Sequence, residues 1–228
     1  MARKFPVFIA GGTGYIGSPL IRALLERGHQ VRALVRPGSE RNLPAGCEAV
    51  PGDALDFSSY RKRVAPAHTF VQLVGVHHPS PAKAAEFLSI DRTSAPGAIE
   101  TARQAGAQHF IYLSMAHPAP LMKSYIAVRV ECERALVESG MNATVVRPWY
   151  VLGPGHRWPY ALLPMYWLCE RLPSTREGAR RLGLVTLAEM TRALVQAVEN
   201  PTTGARFIEV PQIRAGFVPA SDGRSMAS

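Results

Sequence analysis

The residues of this chain with the most chemical content lie near its start. Gly11-Gly12-Thr13-Gly14-Tyr15-Ile16-Gly17 directly follows the apolar run Phe5 to Ala10. Counted from Gly12, the spacing is G-x-G-x-x-G. Glycines at that spacing suit the pyrophosphate of a dinucleotide. One permits a tight turn, one lets the backbone approach the phosphates with no Cβ between, and one lets helix and strand pack closely. A helix starting here offers unpaired N–H groups and the positive end of its dipole to an anion. Glycine turns are common; the strand before this one and the helix after it are the context that the motif requires.

Further candidates line up with that loop. Some 20 residues beyond such glycines, a carboxylate holds the ribose 2′-hydroxyl of NAD, whereas an arginine suits the 2′-phosphate of NADP. This chain has Arg36 there, then Ser39 and Arg41, with no acid before Glu40. NADP(H) is therefore the expected cofactor, with NAD the lesser choice and a plain surface charge the bland alternative. Asp53 follows Gly52 at the end of a short strand, with Ala54 next; it either reaches an adenine amino group or stabilises a turn. Leu73 and Val74 close an apolar run ended by Gly75, where a second close approach to a cofactor falls. His77 and His78 lack third and fourth ligands at useful spacing, so no metal is expected, and their loop reads as pocket lining.

The positioning elements follow from the hydrophobic pattern. Leu20, Ile21, Leu24 and Leu25 mark one face of a helix that Gly28 ends. Gln30 to Arg36 reads as a strand, as does Glu48 to Val50, and Asp56 is placed to cap a helix after it. Thr69 to Val74 has the near-continuous apolarity of a central parallel strand. A long helix is expected over Ala84 to Gln104 with Pro96 inside it, then a strand over His109 to Ser114. A helix from Met122 to Ser139 is closed by Gly140, and Ala143 to Arg147 is the next strand. This alternation predicts an α/β fold with a doubly wound parallel sheet, residues 1–150 forming the dinucleotide-binding domain. Beyond it, the turn at Gly153 to Gly155, the apolar stretch Pro159 to Leu172, a helix over Leu187 to Glu199 and a strand at Arg206 to Val210 read as a small C-terminal substrate or lid region over 151–215. Residues 216–228 read as a disordered tail. For the Tyr160 to Leu168 patch, an apolar lid or dimer face is preferred to a membrane surface.

Composition narrows the classes. Of 228 residues, 47% are apolar and 19% charged, a balance that supports a packed core and excludes a disordered chain. The net charge of +9 is spread along the chain, with no helix-turn-helix signature and no interleaved aromatic and basic platform, so no nucleic-acid partner is expected. Cys47, Cys132 and Cys169 form no C-x-x-C pair and read as reduced thiols in the cytoplasm. A strand and glycine loop this near Met1 leave no room for a signal peptide. No apolar run approaches the roughly 20 residues of a membrane span.

Taken together, the landmarks resemble the atypical and extended short-chain dehydrogenase/reductase superfamily, nearest its NmrA-like NAD(P)H-binding branch. They are GGTGYIG at 11–17, VRALVR at 31–36, GD at 52–53, LVG at 73–75, YLS at 112–114, the tyrosine motif at 125–129, RPWYVLGPG at 147–155 and VTLAEM at 185–190. The resemblance implies a Rossmann-type sheet with Pro148 among the residues near the cofactor. It also implies a catalytic set: Ser114 orienting the substrate oxygen, Tyr125 as its acid/base, and a cation four residues on that holds the ribose and lowers the tyrosine pKa. Family members carry lysine at that place; here it is Arg129. Arginine keeps the charge, but its planar fork cannot occupy the compact ammonium's position unchanged.

Two functions are implied. The first is an NADP(H)-dependent oxidoreductase moving a hydride between nicotinamide and a small carbonyl or quinone-type substrate. The second is a non-catalytic NADP(H)-binding redox sensor or a regulatory or assembly protein, with a homodimer or a regulatory protein as partner. Arg129 in place of lysine and the mere eighty or so residues after Pro148 speak for the second.

Overall fold

The computed structural model describes residues 4–75, 84–119, 122–154 and 163–217. Seven parallel strands form the main sheet: β1 (Pro6–Ala10), β2 (Gln30–Val35), β3 (Glu48–Pro51), β4 (Thr69–Gln72), β5 (His109–Leu113), β6 (Ala143–Arg147) and β9 (Ala205–Glu209). Their order is β3-β2-β1-β4-β5-β6-β9. The strand order reverses between β1 and β4. Connections leave that point toward opposite faces, which opens a crevice beyond the carboxyl ends of the two strands. The chain is thus an α/β protein of Rossmann type.

Strand periodicity divides the core in two, because successive side chains point to opposite faces. Val7, Ile9, Val71, Ile111 and Val146 face α1 (Gly17–Glu26), α6 (Leu187–Glu199) and α7 (Val210–Ala215). Phe8, Phe70, Phe110, Tyr112 and Val145 face α2 (Ala84–Gln104) and α3 (Lys123–Glu138). Phe8, Phe70 and Phe110 form a ladder across three neighbouring strands, with ring centroids 5.1 and 5.3 Å apart. α1 buries Leu20, Ile21 and Leu24, the stripe visible in the sequence. It ends at Gly28, whose φ of 82° is the left-handed conformation that a Cβ disfavours.

Two expectations change. After Asp56 there is no α-helix but two single 3₁₀ turns, Phe57–Ser59 and Arg61–Arg63. Asp56 does cap the first by accepting from Ser58 N at 3.1 Å. The chain between Asp56 and Pro66 makes these two turns instead, and Tyr60 between them fills the space with a fully buried ring.

The second concerns residues 151–215. β7 (Tyr150–Leu152), α4 (Leu163–Arg171), α5 (Arg176–Arg181) and β8 (Leu184–Thr186) lie apart from the main sheet, with β7 and β8 paired in parallel. α6 and β9 belong to the main body instead: β9 is the seventh strand, paired with β6 from Ala143↔Ala205 to Arg147↔Glu209. α6 starts with a capping box, in which the Thr186 hydroxyl accepts from Glu189 N and the Glu189 carboxylate accepts from Thr186 N. The His77–His78 loop lies outside the described residues, as does the expected tail from 218 onward. The first two residues of that tail, Gly216 and Phe217, are described, and Phe217 is not disordered but buried in the core.

Candidate active site

The crevice at the β1/β4 switch point is a cleft of about 430 Å³. Of the residues expected at a cofactor, Gly11, Thr13, Gly14, Arg36, Asp53, Ala54, Leu73, Val74 and Gly75 line it. Gly12 and Gly17 lie behind the loop and let it close. A Cβ on Gly12 would come within 2.9 Å of both Ala33 Cβ and Ile21 Cδ1, and one on Gly17 would collide with the Gly11 carbonyl. Gly14 differs: the nearest atom to an added Cβ is Gly11 O at 3.2 Å, and the rest of its surroundings is cleft. Ile16 packs against the core, and Tyr15 packs against Gly153. Pro148 is buried beside β6, its carbonyl accepting from Ala116 N at 2.8 Å, and does not line the cleft.

The cleft fits a dinucleotide. α1 has no side-chain N-cap and no acid in its first turn, so the positive end of its dipole stays available to an anion, while Ser18 N is already spent on Gly14 O at 3.1 Å and Pro19 carries no N–H. Arg36 is exposed at the rim of the cleft, and its guanidinium has no hydrogen-bond or ion-pair partner among the described residues. Asp53 Oδ1 accepts from Leu55 N at 3.0 Å, which makes it a turn residue that also faces the cleft. Leu34, Leu55 and Ile90 were not legible as lining; they are apolar walls with no local motif.

Beyond Gly75 the cleft floor meets a buried polar cluster. Tyr125 and Arg129 lie one helical turn apart on α3 and face each other. Arg129 donates to the Tyr125 hydroxyl from Nε at 3.1 Å and from Nη2 at 2.7 Å. Its Nη1 donates to the Tyr112 hydroxyl at 3.2 Å and to the Leu113 carbonyl at 2.6 Å. From α2, Asp91 Oδ2 comes within 3.3 Å of Arg129 Nε. That contact is an ion pair without hydrogen-bond alignment, because the Nε–H points at the tyrosine oxygen. The guanidinium also packs on Gly75, where an added Cβ would overlap Nη2. Gly75 therefore separates the cleft from the cluster with no side chain between.

Electrostatics follow from burial. Tyr125, Arg129 and Asp91 are 8%, 4% and 1% exposed. Burial lifts the Tyr125 phenol above its usual value, and the Arg129 cation offsets this only in part. Burial likewise raises the Asp91 carboxyl against the pull of Arg129. Burial alone would lower Arg129, but Tyr112, Tyr125 and Asp91 outweigh it and the guanidinium stays charged. The arrangement holds a protonated phenol at neutral pH, hydrogen-bonded to a fixed cation.

Ser114, just past β5, is 5% exposed, and its Oγ has no hydrogen-bond partner among the described residues. Its chain neighbours both touch the cluster: Leu113 through its carbonyl to Arg129, and Met115 by packing on Tyr125. Asp91 was missed in the sequence. It heads the stripe Asp91, Ser94, Ala95, Ala98 and Ala102, all buried at helical spacing, and a carboxylate on such a stripe needs a cation across from it.

A second cavity of about 440 Å³ lies among α5, the residues after β5 and the end of β9, with His117, Arg180, Arg181 and Glu209 in its wall. Glu133 links it to the fold: buried, it accepts from Arg147 Nε at 3.1 Å, and Arg147 Nη1 donates to Glu209 at 2.7 Å.

Comparison with known proteins agrees with the cleft. A model of the NAD(P)H-binding family matches residues 11–158. The chain is 28% identical to a 3-diazoavenalumate denitrifying reductase from a Streptomyces species, over 93% of this chain and 79% of that protein. It is also 28% identical to the ceramide reductase of Caulobacter vibrioides, over 91% of this chain and 65% of that protein. In three dimensions it resembles the Bordetella bronchiseptica enzyme WbmH, solved in complex with NAD+, with a TM-score of 0.68 at 22% identity, covering 91% of this chain and 76% of that one. No helix among the described residues is long and apolar enough to cross a membrane. With the glycine loop, the switch-point cleft and a family match over most of its length, the chain belongs to the NAD(P)H-binding family of atypical, extended short-chain dehydrogenases/reductases.

Proposed function

We propose that the protein is an NADP(H)-dependent reductase acting on a small carbonyl or quinone-type acceptor. The observation that carries this reading is the cluster beside Gly75: a buried, protonated Tyr125 held by Arg129, next to a Ser114 hydroxyl with no partner among the described residues. The nucleotide, when bound, supplies the hydride. The chain's residues do the rest. Gly11, Gly12, Gly14 and Gly17 shape the pyrophosphate seat, and Arg36 holds the 2′-phosphate. Ser114 Oγ donates to the acceptor oxygen, and Tyr125 delivers the proton that this oxygen needs as the carbon bonded to it gains the hydride. Arg129 stabilises the phenolate left behind. Reductase activity in both sequence relatives is consistent with this direction.

Arg129 takes the place of a ribose-holding lysine, yet its donors are engaged by Tyr125, Tyr112 and Leu113 O. That favours a second reading, in which the nucleotide is bound as a redox signal without turnover. One experiment tests both. Calorimetric titration with NADPH, NADP⁺, NADH and NAD⁺, on wild type and Arg36→Ala, is expected to show a preference for the phosphorylated pair that the variant narrows. A screen of carbonyl and quinone acceptors for NADPH oxidation, with Tyr125→Phe as control, follows. Turnover lost in Tyr125→Phe supports the reductase. Tight binding of one redox state with no acceptor turned over supports the sensor, and no nucleotide binding overturns both.

A further inference from the structure

α4 is built inside out. Its sequence, Leu163-Pro-Met-Tyr-Trp-Leu-Cys-Glu-Arg171, is apolar enough for a core helix. Yet Met165, Trp167 and Leu168, with Leu172 just after the helix, are 52, 57, 55 and 47% exposed. The inward face carries the more polar residues: Glu170 accepts from Arg214 Nη1 at 3.1 Å, and Tyr166 faces Trp149. Positions 165, 168 and 172 share the helical spacing that normally turns to a core, so the outward stripe is continuous. Large apolar side chains grouped on one exposed helix face mark a surface that something covers.

The rim of the stripe is basic. The Arg171 guanidinium lies 3.4 Å from the centre of the Trp167 ring. Arg176 folds back over the end of α4, its Nε donating to Glu170 O at 3.1 Å. Arg180, exposed one turn further along α5 where it also lines the second cavity, adds a third cation at this end, against one exposed acid on the same helix, Glu177. Two candidate covers respond oppositely to this charge. A second copy meeting the same face across a two-fold axis would set arginine against arginine. An anionic phospholipid surface would meet these arginines with phosphates while Trp167, Leu168, Met165 and Leu172 enter the acyl boundary, the arrangement of interfacial helices.

We propose that the α4–α5 face docks the protein on an anionic lipid bilayer. The docking stands whether or not the reductase reading does. It does have a bearing on it: Tyr166 on the inner face meets Trp149, and Trp149 packs on the Met115–Tyr125 cluster. The candidate acid therefore lies two side chains behind the face that meets the lipid.

The test is flotation of the full chain with vesicles of phosphatidylcholine alone and of phosphatidylcholine mixed with phosphatidylglycerol. The protein is expected to float with the mixed vesicles, far less with the neutral ones, and to be released by salt. Trp167→Ala with Leu168→Ala is expected to weaken binding by at least about tenfold, and Arg171→Gln with Arg180→Gln by about fivefold per arginine. Both variants are checked for unchanged NADPH binding, which separates loss of docking from loss of fold or of the nucleotide site. Absence of flotation, flotation indifferent to phosphatidylglycerol, or flotation unchanged in the Trp167/Leu168 variant each overturns the proposal. So does a wild-type dimer in sedimentation velocity that this variant turns into a monomer, which would assign the face to a second copy.

Discussion

Arg129 places two donors on one phenolic oxygen, that of Tyr125, and a buried carboxylate, Asp91, behind its Nε. The three side chains come from two helices and are nearly closed to solvent, so each determines the state of the others.

Removing the cation leaves Asp91 buried and unpaired. Arg129→Met is expected to lose about 3–5 kcal/mol of stability near pH 7, and Arg129→Met with Asp91→Leu to regain much of it. Urea denaturation of the four proteins measures the coupling. The sign with pH follows. In Arg129→Met the Asp91 carboxyl, already raised by burial, rises further, so the deficit is full well above that raised value. It shrinks as pH falls through it, and the part owed to the Asp91 charge is gone below the unfolded carboxyl value of about 4, which leaves only the loss of the Arg129 hydrogen bonds.

Tyr125→Phe removes the acceptor for Arg129 Nε and Nη2 while keeping the ring that packs on Met115. The expected result is a loss of about 1–3 kcal/mol in stability from unsatisfied buried donors, with NADPH affinity retained. Any NADPH-dependent turnover should fall by about 10²–10⁴-fold. Thermal melting, calorimetry and steady-state rates separate the three effects.

The loop glycines should divide by role. Gly17→Ala places a Cβ against the Gly11 carbonyl and 2.8 Å from Gly12 Cα, so the loop cannot close; a loss of about 1–3 kcal/mol or more is expected. Gly14→Ala meets only Gly11 O at 3.2 Å and should melt near wild type, yet it fills the space that a pyrophosphate needs. Melting curves paired with NADPH titrations distinguish a broken loop from a blocked one.

His109 gives the fold an acid-sensitive point. Its ring is fully buried, with Nε2 3.0 Å from Thr144 Oγ1, and burial, aided by Arg206 and His68, pushes its pKa down from 6.5 to about 3. Between those values the unfolded chain binds the proton and the folded one does not. Stability therefore falls as pH drops below 6.5, by up to about 1.4 kcal/mol per pH unit, and levels off near 3. Denaturation midpoints from pH 7 to 4 should show this slope, and His109→Gln should flatten it.

The sequence carried the sheet and the nucleotide cleft well, because both are written locally. Strand periodicity, the glycine spacing and Gly28 each act within a few residues of the feature that they specify. Asp91 escaped notice because its meaning depends on Arg129, which reaches it only once α2 packs on α3. The surroundings of Arg129 were equally hidden: its spacing from Tyr125 was readable, but its contacts with Tyr112 and the Leu113 carbonyl need β5 beneath α3. α4 was misleading in another way. Its apolar composition reads as a lid or dimer face, and only the packed chain reveals that Met165, Trp167 and Leu168 face outward.

β6 and β9 are adjacent in the sheet, yet everything from Tyr150 to Glu199 is strung between them. Both ends of that excursion are pinned to neighbouring strands, so its closure hardly depends on how long it is. A lineage could lengthen, shorten or rewrite β7, α4, α5 and β8 and leave the nucleotide crevice undisturbed. In such a design the cofactor half is inherited, and the choice of what it reacts with, or where it docks, is edited in one continuous stretch of gene.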